Sequence, residues 1–289
     1  MNLYLNEYKS YLCDVKRVSN NTFESYIRDI EFFLSYKTTK NIPTQKDFDD
    51  YIAYLYSCGK GASTILRTSS SIKSYYNYLY SQDKINFTLK TTVKAKKQEY
   101  IPVVLSENEI DLLLSAPERD TFKGIRDRAI LEVFYATGIK VSELISLKIE
   151  DCNLKLNYLV LHTNGGERIL PIYDRAAQNL SLYITKVRKF IDNGTSSALF
   201  LNLNGSNLTR QGIWKIIKTY AANIKPDFEI TPEIIRNSFA VHLIENGAQG
   251  RDLQEIMGLG DLSSANRYTE LFKNKYAKKY NKFHPMAKK

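Results

Sequence analysis

Residues able to do nucleophilic, acid–base or anion-binding chemistry sit in short blocks along this chain. In order, the blocks are Ala136-Thr137-Gly138-Ile139-Lys140-Val141-Ser142-Glu143-Leu144, Glu167-Arg168-Ile169-Leu170-Pro171, Thr231-Pro232-Glu233-Ile234-Ile235-Arg236, Gly258-Leu259-Gly260-Asp261-Leu262-Ser263-Ser264 and Arg267-Tyr268-Thr269. Arginine offers a planar fork of N–H donors that matches an oxyanion, whereas lysine is a compact point charge. A tyrosine hydroxyl has a reference pKa of about 10 and is a poor nucleophile until its proton is removed. Each candidate also has a bland explanation. Tyr268 is one of 21 tyrosines, Arg236 could serve a surface ion pair, and Lys140 could be a solvated turn residue. His162, His242 and His284 are the only histidines and show no ligand spacing, so no metal and no cofactor is expected.

The elements that must position these blocks are mainly helical. At 289 residues the chain can hold two cores. A net charge of +10 points to a polyanionic partner, although a soluble surface can carry the same excess. Cys13, Cys58 and Cys152 form no paired motif, which fits a reducing compartment. The first residues lack a basic segment followed by an apolar one, and no apolar run approaches a membrane span. A cytoplasmic protein with no membrane partner is expected.

Tyr26, Ile27, Ile30, Phe33 and Leu34 recur at helical spacing after Asn21-Thr22. Further helices are expected over Asp47–Tyr56, closed by Gly59-Lys60-Gly61, and from Ala62 through Leu79. A polar stretch with Lys94, Lys96 and Lys97 separates this part from Leu105, where Ser106 and Glu109 form a capping-box pattern. Asp127–Tyr135 reads as a buried helix ending at Gly138. Leu154–Leu161 and Arg168–Ile172, about the turn Asn164-Gly165-Gly166, read as a β-hairpin. Helices follow at Arg175–Ile191, Thr209–Ala222 and Ile234–Glu245, with a short strand at Ala198–Leu201.

These five blocks, in this order and at these separations, resemble the tyrosine recombinase and phage integrase family, most closely its bacterial Xer-like members. A looser likeness extends to Asn21-Thr22-Phe23-Glu24-Ser25-Tyr26-Ile27-Arg28-Asp29. The resemblance implies a helical core-binding domain (residues 1–90), a linker (91–103) and an α/β catalytic-type domain (104–289), closing as a clamp around DNA. It also implies a chemistry in which a tyrosine hydroxyl attacks a DNA phosphodiester, forms a 3′-phosphotyrosyl bond and releases a 5′-hydroxyl. Two arginines hold the phosphate, a hairpin lysine protonates the leaving oxygen, and two histidines complete the pocket.

Carried across position by position, the nucleophile is Tyr268 and one arginine is Arg236. The other arginine has become Lys140, which keeps the charge and loses the fork. The hairpin lysine falls at Thr163, the first histidine at Glu233 and the second at Leu259. Glu233 would repel a phosphate unless protonated or paired, for instance with Lys140 or Arg236, and it could simply favour the start of its helix. His162 could replace the lost acid or be a strand histidine with no role. Arg168 could contact DNA or reach the pocket, Arg267 is a further substitute or DNA contact, and His242 is expected to be structural. The basic, aromatic tail from Phe272 through Phe283 suits a partner-packing helix or a DNA contact.

Two functions follow. One is an enzyme that cuts DNA through Tyr268, in site-specific recombination and integration or in relaxase-like nicking for plasmid transfer. The other is a pseudo-recombinase that binds DNA or a recombinase partner without cutting. Either takes double-stranded DNA as its partner, with possible self-association or a second recombinase on it.

Overall fold

The computed structural model describes residues 4–36, 42–90, 103–163, 166–222, 224, 229–270 and 272. The chain divides into two compact units, Met1–Tyr100 and Ile101–Lys289, each with its own core. The expected linker, with Lys94, Lys96 and Lys97, lies outside the described residues apart from Val103, as does the basic tail beyond Phe272.

The first unit is helical. It contains α1 (Leu5–Ser10), continued by a π-helical turn Tyr11–Val15, then α2 (Asn20–Tyr36), α3 (Gln45–Ser57) and α4 (Ala62–Ser81). α1 escapes the periodicity because only Leu5, Tyr8 and Leu12 mark its buried side. Ile30, Phe33, Phe48, Ile65, Ile72, Tyr75 and Tyr76 close the core. Burial pushes the Tyr8 hydroxyl up to about 12. Asp29, buried on α2, accepts from Arg67 and from Ser71 at 2.9 Å, tying α2 to α4.

The second unit is built around α6 (Phe122–Thr137), which is buried on nearly every side. α5 (Glu107–Ser115) precedes it, started by the expected cap: the Ser106 hydroxyl accepts from the Glu109 amide, and Glu109 accepts from the Ser106 amide at 2.8 Å. Buried charged side chains on α6 are held by neighbours, although Arg128 Nε has no partner among the described residues. Glu132, fully buried, accepts from Tyr173 and lies 3.0 Å from Arg175 Nε, while Arg128 donates to the Ser115 and Pro117 carbonyls. α7 (Val141–Ser146) follows the turn at Gly138.

The sheet has three antiparallel strands in the order β1 (Cys152–Asn153), β2 (Tyr158–Thr163) and β3 (Gly166–Pro171). The strand expected to begin at Leu154 begins at Tyr158. Residues 154–157 form a turn in which Asn157 takes positive φ and the Leu156 amide donates to Asn153 Oδ1. α8 (Asp174–Tyr183) continues through a π turn, Ile184–Arg188, into α9 (Lys189–Ile191). Ala198–Leu201 makes only isolated bridges, Lys148 with Ala198 and Leu201 with Asn207, because the chain turns back at once through 202–206. α10 (Arg210–Ala221), α11 (Pro232–Glu245) and α12 (Gly250–Met257) follow, and residues 262–270 are helical.

Gly138 has φ +56°, and a Cβ there would lie 2.1 Å from the Phe239 ring. Left-handed backbone costs a side-chain-bearing residue about 1–2 kcal/mol, and overpacking about 1–3 kcal/mol more. Gly138→Ala is therefore expected to destabilise the protein by about 2–5 kcal/mol. Chemical denaturation checks this: a change below about 0.5 kcal/mol, the usual effect of a bland surface substitution, contradicts it.

Candidate active site

Arg236, on the second turn of α11, organises the site. Thr231 caps that helix by accepting from the Ile234 amide, with Pro232 in its first turn. The arginine is 5% exposed. Its Nη1 donates to the Gly138 carbonyl, and its Nη2 donates to the Met257 carbonyl at 3.1 Å. One guanidinium thus joins the turn before Lys140 to the end of α12. Burial lowers its pKa, and the neighbouring Arg168 charge pushes the same way. Tyr268, Glu143 and Glu233 oppose both.

Tyr268 is 3% exposed and packs in a small apolar cluster with Phe239, Val241, Leu253, Met257 and Ala265. Burial raises its pKa, Arg267 and Arg236 pull it down, and Glu233 pushes it up. The Arg267 guanidinium stands 5.3 Å from the Tyr268 ring centre. Arg267 Nη2 is also 3.7 Å from Glu233 Oε1 and donates to Asn237 Oδ1 at 3.4 Å. Glu233 therefore has an ion-pair partner that the sequence did not suggest, Arg267, because the two residues face each other from α11 and the 262–270 helix, while its charge also bears on Arg236.

Lys140 caps α7. Its amide donates to Glu143 Oε2 at 2.8 Å, and its ammonium, on a side chain 55% exposed, is 3.8 Å from Glu143 Oε1. Glu143 also takes Arg168 Nη2 at 3.1 Å. Sequence reasoning quoted Glu143 for its motif and missed that it joins two cations. Spacing could have paired it with Lys140 at i and i+3, but Arg168 needed the hairpin register.

That register separates the remaining candidates. Leu161 pairs with Arg168, His162 with Glu167, and Thr163 with Gly166. Side chains alternate between faces, so Thr163 and Arg168 share the face of buried Leu161 and Leu170, and His162 lies on the other. The Thr163 hydroxyl donates to the Gly166 carbonyl. His162 lies between Asp151 (Nε2, 3.1 Å) and Glu167 (Nδ1, 3.2 Å), so the structure does not bring it together with Tyr268. Leu259 packs against the Tyr268 cluster, and His242 Nδ1 is 2.8 Å from the Tyr135 hydroxyl. Among the described residues, no group of histidines, cysteines and carboxylates could hold a metal ion. No helix among them is long and apolar enough to cross a membrane.

The pocket thus gathers Lys140, Arg168, Arg236 and Arg267 with Glu143, Glu233 and a buried tyrosine. It can neutralise an oxyanion, but among these side chains it holds no imidazole and no buried lysine to move a proton.

Residues 103–275 match the phage integrase family, and residues 5–83 match the phage integrase N-terminal SAM-like domain. A relative from Caldanaerobacter subterraneus subsp. tengcongensis is 43% identical over 286 residues, covering 97% of this chain and 98% of the relative. The tyrosine recombinase XerD of Staphylococcus epidermidis is 37% identical over 298 residues, covering 99% of this chain and all of the relative. In fold, the chain is similar to the XerH site-specific recombinase bound to its palindromic difH substrate (TM-score 0.75, 18% identity, 90% of this chain and 78% of that one). It is also similar to a lambda integrase dimer bound to a COC′ core site (TM-score 0.70, 17% identity, 92% and 93%). The chain belongs to the phage integrase family, with the Xer-like tyrosine recombinases.

Arg236 and Lys140 should differ sharply in their effect on folding. Arg236→Ala strands two carbonyls that now accept from a buried cation, and each such bond is worth about 1.5–3 kcal/mol. A loss of about 3 kcal/mol or more is expected. Lys140→Ala, at an exposed side chain, should stay within about 0.5 kcal/mol of wild type. Equal losses in urea denaturation would contradict this division.

Proposed function

We propose that this member of the phage integrase family is a site-specific DNA recombinase that breaks a strand through Tyr268. The observation that carries the proposal is the placement of a buried tyrosine beside Arg267 and in the field of Arg236, on the helix that follows α12, whose last carbonyl Arg236 holds. The Tyr268 oxygen attacks a backbone phosphorus, and the bond from phosphorus to the 5′-oxygen breaks. The phosphate stays on the tyrosine at the 3′ end, and the 5′-oxygen leaves as a hydroxyl after taking up a proton. The new ester conserves the energy of the old one, so religation needs no cofactor. Arg236 neutralises the phosphate, and Lys140, loosely held and exposed, supplies a second charge.

Thr163, Glu233 and Leu259 leave the lysine and both imidazoles of the family pattern unfilled. One missing preorganised donor costs about 2.7–4 kcal/mol of transition-state stabilisation, so cleavage is expected to be slow. The same vacancies favour the second reading, a protein that binds DNA or a recombinase partner without cutting. Support for duplex DNA as the partner comes from the +10 charge and from the fold shared with XerH and lambda integrase, both captured on DNA. Self-association or a second recombinase on the same DNA fits the dimer seen for lambda integrase.

A suicide duplex nicked just beyond the cut site traps a covalent intermediate. Wild type is expected to give a protein–DNA adduct that Tyr268→Phe does not. Duplex binding with no adduct on any substrate leaves the binding-only function. DNA affinity should also fall steeply with salt, by about 10³-fold from 50 to 200 mM for a protein holding six phosphates. Affinity unchanged over that range would remove DNA as the partner.

A further inference from the structure

We infer that Arg168 is a second guanidinium of the phosphate clamp, taking over the fork lost at Lys140 and the cation absent at Thr163. This rests on Arg236 and Tyr268 acting at one DNA phosphate.

Four observations converge on it. First, Arg168 leaves β3 on the face that also carries Thr163, so its side chain starts from the surface where the family places its lysine. Second, it spans the same two segments as Arg236. Arg236 joins the Gly138 carbonyl to the Met257 carbonyl, and Arg168 runs from Glu143 to Gly258, the next residue after Met257. Two guanidiniums strung between the same turn and the same helix end are neighbours, and the Arg168 charge helps lower the pKa of Arg236.

Third, the space for Arg168 exists only because residue 258 is glycine. A Cβ there would fall 1.7 Å from Arg168 Nη1, and the backbone is already left-handed at φ +60°. Fourth, Arg168 is not fully used. Its side chain is 14% exposed and Nη2 is held by Glu143, but Nε is buried with no hydrogen-bond partner among the described residues. A buried donor left unpaired on a charged group is costly, and Arg168 shares its carboxylate, Glu143, with Lys140 while Arg236 rests on backbone carbonyls, which leaves positive charge unbalanced. A tetrahedral phosphate has the charge and the several acceptor oxygens that this arrangement lacks.

The plain alternative is that Arg168 and Glu143 form an ion pair that only fastens β3 to α7. A methylphosphonate removes the charge of one phosphate and separates the two. In the full chain carrying Tyr268→Phe, affinity is measured for a duplex that the protein protects, with single methylphosphonates placed in turn along both strands. Arg168→Ala and Arg236→Ala are each added to this background. Arg168→Ala is expected to cost about tenfold or more on the unmodified duplex, the loss of one charge-assisted bond. It should also become indifferent to the methylphosphonate at one position, the same position to which Arg236→Ala becomes indifferent. An equal loss on every duplex, or indifference at a different phosphate from Arg236→Ala, overturns the assignment. If Arg168→Ala does not fold, or Arg236→Ala does not because two carbonyls lose their donor, Arg168→Gln and Arg236→Lys give the same comparison with more of each side chain kept. The adduct assay on wild type reports separately whether Tyr268 cuts, so absence of cleavage and absence of a shared phosphate give different results.

Discussion

The site depends on a cation that has no ion pair among the described residues. Arg236 is buried with its two Nη groups on backbone carbonyls, those of Gly138 and Met257. A charge removed from water needs several good partners to be tolerated, and here they come from the ends of two helices. α6 must therefore end where it does, and Gly138 must accept positive φ against the Phe239 ring. α7 then starts at Lys140 and aims Glu143 at β3. On the other side, α12 must end at Met257 so that Gly258 can turn the chain toward the helix that carries Tyr268. Bonds to a buried cation are worth about 1.5–3 kcal/mol each, whereas an exposed lysine–glutamate contact is worth at most about 1 kcal/mol. Arg236 therefore sets the geometry, and Lys140 follows it.

The carboxylates make sense on the same terms. Glu233 puts a negative charge beside the site we propose for a phosphate, and Arg267 stands 3.7 Å from it. Both side chains are about half exposed, so the pair adds little to stability. Its effect is local, keeping an uncompensated carboxylate away from the anion site. Glu143 differs because it is mostly buried and contacts two basic side chains. Removing it would leave Arg168 without its visible partner.

Much of this was legible in the sequence, wherever local chemistry decides the outcome. Ser106 with Glu109 announces α5, Gly138 ends α6, and Thr231-Pro232 opens α11. The order of the blocks gave the family, and the mainly helical fold with a small sheet came with it. What stayed hidden depends on tertiary register. His162 and Arg168 both looked able to replace the lost lysine, and a one-residue step along a strand puts them on opposite faces. Asn157 moved the start of β2 through a left-handed turn that hydrophobic alternation does not report. Glu233 found its partner across a helix–helix contact, and nothing in the spacing of residues 233 and 267 announces that.

The substitutions in this pocket replace charge better than they replace proton transfer. An arginine in the position we assign to Arg168 can neutralise a phosphate, but a guanidinium holds its protons too tightly to serve as a general acid. Thr163 and Leu259 offer no substitute, and His162 faces away. In the reaction we propose, attack by Tyr268 and departure of the 5′-oxygen each need a proton moved, and the arginines assist only the charge on the phosphate. Religation runs through the same transition state in reverse, so the group missing as an acid for cleavage is also missing as a base for rejoining. A covalent intermediate formed here would therefore be both slow to appear and slow to resolve.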